Sequence, residues 1–353
     1  MNLLILGADS LTGQALVHLA LNEGIPCHAL GTGDFLGLKK GELTKTLTRL
    51  MPSVIIYVAT YSSVEKAEVD AECASQCDQV NSVGVSAVAE LCAKLQVPLL
   101  FHSSSFVFDG AKSHPYLETD ETNPRCRYGI SKLAGERSIR ELLPSHVILR
   151  TDWVFSRERP RYFEELLTAL RVSAGKISVM TQRFSPTPAA DVARVILAIT
   201  KQADCGMDVW GTYHYCALQP MSKEFFVEHV LQEAAKYDPE IAALLPQLEI
   251  LKLPPTTPWI GNSVLNTQHL FETFGIKQRG RAGEISALLQ QICNYVPPQL
   301  PEEPVADEVE TEVGLVKTDK PEIRNTKGSQ AKRRLRKKSG SPRPAKKVDR
   351  QKE

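Results

Sequence analysis

Short runs that are apolar at every position alternate along the chain with longer stretches of helical period. Leu3–Leu6 is the first such run, and wholly apolar tetrads are expected of strands buried on both faces. A helical pattern follows over Gln14–Leu21, and Cys27–Leu30 reads as a second strand ending at Gly31-Thr32-Gly33. Val54–Val58 is a third strand. A helix with apolar positions at Val83, Val85, Val88, Ala89, Leu91 and Cys92 then leads to a fourth strand at Leu99–His102. A helix around Lys132–Leu142, a strand at Val147–Arg150 and a helix around Phe163–Arg171 continue the alternation. Strands separated by helices predict a doubly wound α/β fold, with a parallel sheet covered on both faces and ligands bound beyond the strands' carboxyl ends.

This rhythm stops near residue 295. Residues 296–353 open with Pro297, Pro298, Pro301 and Pro304 and carry almost no periodic apolar pattern, so they are expected to be a disordered tail. The chain's net charge of +1 hides a segregation inside that tail, where 302–323 is acidic (net −6) and 324–353 strongly basic (net +11). Lys332-Arg333-Arg334-Leu335-Arg336-Lys337-Lys338 fits a weak, sequence-blind contact with nucleic acid or another polyanion, since no aromatic residues are interleaved for base stacking. No apolar run reaches the ~18–20 residues of a membrane helix, and Asp9 comes too soon for a signal peptide. The eight cysteines form no CxxC pair. Cys73 and Cys77 lie four apart, but no His or second cysteine pair completes a zinc pattern. A soluble, cytoplasmic protein with reduced thiols and no metal is the expectation.

Two segments carry chemistry. Gly7-Ala8-Asp9-Ser10-Leu11-Thr12-Gly13 joins the first strand to the first helix, where a dinucleotide pyrophosphate can lie on the helix N-terminus. The second strand ends without an acidic residue for a ribose hydroxyl and is followed by Lys39 and Lys40, which tilts the expected cofactor from NAD toward NADP. Further on, Tyr128-Gly129-Ile130-Ser131-Lys132 places a phenol and an ammonium one helical turn apart, the cation being expected to favour the phenolate. Ser103-Ser104-Ser105 offers hydroxyls at the end of the fourth strand. A serine, a tyrosine and a lysine so placed suit carbonyl reduction. Trp210, Tyr213, His214 and Tyr215 read as sheet packing, His102 as a core histidine, and Arg125 and Arg127 as a solvated loop.

On these residues the chain resembles the extended short-chain dehydrogenase/reductases, and within them the dTDP-4-dehydrorhamnose reductase family, over roughly residues 1–295. Ser103–Gly110 is similar to the family stretch STDYVFDG, Tyr128–Glu136 to YGxxKLAGE and Arg150–Phe155 to RTSWVY. Val64–Glu68, Val80-Asn81, Pro186-Thr187, Asp191–Ala193 and Asn262–Leu265 follow in the family's order. The resemblance implies a Rossmann-type domain with a smaller substrate-binding part drawn mainly from 151–295, open to homodimerisation. It implies that Ser104, Tyr128 and Lys132 are catalytic. Gly7, Asp9, Ser10, Leu11, Thr12, Gly13, Glu42, Leu43 and Ala59, with Tyr128 and Lys132, would bind NADP or NAD, and the substrate would be a keto sugar linked to a nucleotide.

The chain departs from the family at several places. Ser10 replaces a glycine, Tyr57-Val58-Ala59 replaces Asn-Ala-Ala, and Ser105-Phe106 replaces Asp-Tyr, removing a carboxylate and a phenol. Thr257-Pro258-Trp259 stands where an arginine is expected. These departures keep open a second class, a non-catalytic NADP-binding regulatory subunit like the beta subunit of methionine adenosyltransferase.

Overall fold

The computed structural model describes residues 1–38 and 40–294. The charged tail, and Lys39 with the side chain of Lys40, lie outside the described residues, so the polyanion contact and the lysine argument for NADP lie outside them too.

Six strands form one parallel sheet in the order β10-β5-β4-β3-β1-β2. In chain order these are β1 (Leu3–Leu6), β2 (Cys27–Leu30), β3 (Val54–Tyr57), β4 (Leu99–Ser104), β5 (His146–Thr151) and β10 (Gly211–Tyr215). Six further strands make two-stranded pairs: β6 (Val154–Phe155), β7 (Lys176–Met180), β8 (Arg183–Phe184), β9 (Thr187–Pro188), β11 (Met221–Ser222) and β12 (Glu249–Leu253). The helices between β1 and β4 are α1 (Leu11–Asn22), α2 (Thr32–Leu36), α3 (Lys40–Leu50), α4 (Val64–Val69), α5 (Ala71–Asp78) and α6 (Gly84–Leu95). After them come α7 (Arg127–Leu142), α8 (Arg161–Val172), α9 (Ala189–Asp204), α10 (Lys223–Ala234), α11 (Pro239–Leu244), α12 (Gln268–Phe274) and α13 (Ala282–Cys293).

Because side chains alternate across a strand, β1 feeds both layers. Leu3 and Ile5 pack with Leu16, Val192 and Ile196 from α1 and α9. Leu4 and Leu6 pack with Leu43, Leu47, Val85 and Val88 from α3 and α6. A third core, rich in aromatic residues, gathers Phe155, Phe163, Phe184 and Phe226 with Leu288 and Leu289 of α13. β1 pairs with β2 on one side and β3 on the other, so the strand order reverses there, which is where an open parallel sheet binds ligands.

The glycines of the two motifs serve close packing. Gly7 has φ +92°, and a Cβ on it would lie 2.2 Å from the Ala59 amide nitrogen; one on Gly13 would lie 2.1 Å from the Gly7 carbonyl oxygen. Together they let β1, the turn and the start of α1 collapse against the end of β3. Tyr57, one of the departures from the family stretch, is fully buried. Its hydroxyl donates to the Val80 carbonyl at 2.5 Å, and its ring packs edge-on against Phe35 and Phe101, inside the core.

Candidate active site

A cavity of about 400 Å³ opens at the carboxyl ends of the central strands. Its lining brings Ser10, Leu11 and Thr12 at the N-terminus of α1 together with Ser104, Tyr128 and Lys132. Trp153, Phe155, Tyr162 and Trp259 add aromatic surface to the same lining.

The glycine turn is pinned from both directions. Gly7 and Ala8 donate to the Leu30 carbonyl, and the Asp9 carboxylate accepts from the Thr32 amide and hydroxyl at 2.7 and 2.8 Å. Burial acts to raise Asp9, but those bonds and the Arg159 guanidinium hold it below the usual carboxylate range. Ser10, in place of a glycine, caps α1 by accepting from the Gly13 amide at 3.0 Å. Asp34, within α2 and outside the cavity lining, accepts from the Gly31 amide at 3.1 Å, and β2 itself ends without an acid.

Ser104 and Tyr128 are set against each other by close backbone packing. Ser104 Oγ accepts from the Phe106 amide at 3.3 Å, capping the short turn Ser105–Val107. The first turn of α7 rests on that same turn, and a Cβ on Gly129 would lie 2.1 Å from the Phe106 carbonyl oxygen. The glycine after the tyrosine therefore allows α7 to approach β4. Lys132, one turn on, is 2% exposed and donates to the His102 carbonyl at 3.0 Å, its Nζ 4.8 Å from the centre of the Phe101 ring.

The expected lowering of the phenol pKa is not found. Burial pushes Tyr128 up to about 12, against the opposing influence of the neighbouring Thr60 and Ser104 hydroxyls. Burial likewise lowers Lys132 to about 7. Desolvation outweighs the one-turn attraction because both groups leave water together. His102, read as a core histidine, lines the cavity, bonded through Nε2 to Thr151 Oγ1 at 2.8 Å and lowered to about 3, first by burial and then by Lys132.

Gly7, Gly13 and Ala59 support the cavity without lining it. Glu42 and Leu43 are not brought to it: Leu43 is buried in the core and Glu42 is on the exposed side of α3. Arg125 and Arg127 are exposed and stay outside its lining. Sequence reasoning missed Thr60, Arg159 and Asp152. Arg159, from the loop before α8, donates to the Asp9 carbonyl at 2.8 Å across 150 residues of chain. Trp259, in the place of the expected arginine, donates to Glu65 of α4 at 3.0 Å and meets the Phe106 ring edge-on, which in turn meets Tyr128. Asp152 lies beside Ser105, whose hydroxyl donates to it at 3.2 Å, so the carboxylate absent from position 105 has a close neighbour. The mismatch of Asp152 with RTSWVY was visible in the sequence, but its place beside Ser105 depends on strand register.

The residues present suit a bound dinucleotide. Thr60 Oγ1 is buried on the cavity side of β3 and finds no partner of full hydrogen-bond geometry among the described residues, and α1 turns its N-terminus to the same space. Among the described residues no group of His, Cys, Asp and Glu could hold a metal ion, and no helix is long and apolar enough to cross a membrane.

A family model described as the RmlD substrate binding domain matches residues 1–293. The dTDP-4-dehydrorhamnose reductase of Sinorhizobium fredii is 31% identical over 252 residues, 70% of this chain and 83% of that protein. The one from Aggregatibacter actinomycetemcomitans is 31% identical over 279 residues, 78% of this chain and 94% of that protein. Among solved structures, a dTDP-4-dehydrorhamnose reductase from Bacillus anthracis in complex with NADP has a TM-score of 0.67 at 20% identity, covering 82% of this chain and 99% of its own. UDP-glucose 4-epimerase from Thermotoga maritima, with UDP-glucose, gives 0.65 at 17% identity, covering 83% of this chain and 98% of its own. These two likenesses bear on the fold alone.

Proposed function

The chain belongs to the RmlD substrate binding domain family, and from that premise we propose that it is an NADP(H)-dependent oxidoreductase reducing the keto group of a nucleotide-linked deoxysugar. The observation that carries this reading is the meeting of Ser104, Tyr128 and Lys132 in one cavity with the N-terminus of α1. Residues 1–150 supply most of the cofactor side, and the aromatic surface from 151–294 supplies most of the substrate side. Thr60, Ser10, Leu11 and Thr12 would hold the dinucleotide, which supplies a hydride when bound.

Ser104 is suited to polarise a carbonyl. The Phe106 amide occupies one of its oxygen's lone pairs, and its hydroxyl lies beside the Tyr128 phenol in the same cavity. A phenol with a pKa of about 12 is protonated at neutral pH and is the proton donor for the alkoxide that reduction creates. The His102 carbonyl fixes the Lys132 amine on the floor of the site, where its charge would steady a ribose and the phenol once water is displaced.

The test is NADPH oxidation with dTDP-4-dehydrorhamnose. Tyr128→Phe is expected to lower kcat by roughly 10²–10⁴-fold with NADPH affinity unchanged. Full activity in that variant, or failure of the wild type to bind NADPH, overturns the reading. One observation favours the regulatory alternative, namely that Trp259 bonded to Glu65 takes the place of a phosphate-pairing cation. NADPH binding without turnover on any keto sugar nucleotide selects it.

A further inference from the structure

Ser104 of β4 pairs with Thr151 of β5 in parallel register, so the residues just beyond, Ser105 and Asp152, leave the sheet side by side. Ser105 Oγ donates to Asp152 Oδ1 at 3.2 Å. The family stretches STDYVFDG and RTSWVY carry an aspartate and a serine at these two positions; this chain carries a serine and an aspartate. Carboxylate and hydroxyl have exchanged strands.

Asp152 is 5% exposed, yet it lines the cavity with Ser104 and Tyr128. Its other oxygen accepts from the Ser185 amide at 2.5 Å, and the Ser263 hydroxyl supports it. Among the described residues no cation forms a salt bridge with it. Lys223 and Arg281 act on it only through space. Lys223 is held among the rings of Trp153, Tyr162 and Phe184 at 4.4–5.0 Å, and Arg281 is spent on the Leu218 and Gln219 carbonyls. A buried carboxylate without a directly bonded counter-ion is costly to keep, and this one borders the cavity that also holds Ser104 and Tyr128.

We propose that Asp152 is a specificity-determining residue that accepts a hydrogen bond from a sugar-ring hydroxyl near the keto group held by Ser104 and Tyr128. The assignment rests on the reductase reading. An ionised carboxylate accepts and does not donate, so the substrate class is a hydroxylated keto sugar.

The experiment measures KM and kcat for dTDP-4-dehydrorhamnose with NADPH, alongside NADPH affinity. Asp152→Ser leaves two hydroxyls and no carboxylate. It is expected to raise KM by about ten- to a hundredfold, with a smaller change in kcat and unchanged NADPH affinity. The double variant Ser105→Asp/Asp152→Ser returns the carboxylate from the other strand and is expected to recover most of that loss. Asp152→Asn keeps the shape, loses the charge and should behave like Asp152→Ser. In the wild type KM should also rise as pH falls through about 6, where Asp152 takes up a proton; Lys223, Arg281 and Cys216 are the ionisable groups facing it. An unchanged KM in the asparagine variant, or a double variant no better than the single, overturns the assignment while leaving the reductase reading intact. A wild type that binds NADPH without turnover overturns both.

Discussion

Glu136 and Asp152 are both buried acids attached to the serine run that ends β4, one through Ser103 and the other through Ser105. Glu136, fully buried on α7, accepts two bonds from Arg150 at 2.8 and 2.6 Å, one from Arg140 at 2.8 Å and one from Ser103 at 2.5 Å. Burial acts to raise its pKa, but the guanidinium groups and the hydroxyl hold it below the ordinary value. Asp152 has the Ser105 and Ser263 hydroxyls, the Ser185 and Trp153 amides and, among the described residues, no salt bridge, and burial pushes it up to about 6. The contrast separates two uses of a buried charge. Glu136 is saturated and ties α7 to β5, which fixes Tyr128 and Lys132 against the sheet. Asp152 is left under-compensated at the edge of the cavity.

The largest expected effect comes from breaking the saturated site. Glu136→Gln leaves Arg150, itself 2% exposed, without its counter-charge. Removing one partner of a buried pair costs about 3–5 kcal/mol, which urea unfolding would register as a clear fall in midpoint. A loss below about 1 kcal/mol would show the Arg150 network to be no more structural than Asp152 and would dissolve the contrast.

Much of this arrangement could be read from sequence. The strands at Leu3–Leu6 and Val54–Tyr57 fall where the apolar runs put them, because a parallel strand buried on both faces leaves an unbroken signal. The helix expected from Phe163 begins at Arg161. The motif glycines were legible for the same reason, since only a residue without Cβ fits within about 2 Å of another backbone. What stayed hidden depends on register and long-range packing. Nothing local places Asp152 next to Ser105 or Arg159 on Asp9. The pKa of Tyr128 was misjudged because helical spacing reports a neighbour's charge but not the water that both groups lose.

Lys132 extends the comparison to a cation and predicts a smaller change of the opposite sign. Its folded pKa of about 7 lies below the ordinary lysine value of 10.5, so between those pH values the unfolded chain binds the extra proton. Stability from this group therefore rises with pH across that window, and near pH 7 the lysine destabilises the fold. Lys132→Met should raise the unfolding free energy at pH 7 by about 1–2 kcal/mol while abolishing turnover, with the gain shrinking toward pH 10. A variant less stable than the wild type at pH 7 would mean that the bond to the His102 carbonyl outweighs desolvation.

The smallest effect discriminates most finely. Asp152 has a folded pKa of about 6 against the ordinary aspartate value of 3.8, so between those values the folded protein binds the extra proton. Its contribution falls as pH rises through this window and remains a penalty above it. Glu136, lowered in the fold, loses stability only as pH drops below the ordinary glutamate value of 4.5 and is silent between 4.5 and 6. An asparagine at 152 can turn its carbonyl to the Ser185 amide and its amide to Ser105, whose hydroxyl reorients to accept. Asp152→Asn should accordingly be more stable than the wild type by up to about 1 kcal/mol at pH 7.5, a difference that closes toward pH 4. Glu136→Gln should show no such closing between pH 7.5 and 5. If the asparagine variant is instead destabilised at pH 7.5 by as much as the glutamine variant, the two acids serve the fold alike, and substrate recognition loses its physical reason for a carboxylate at 152.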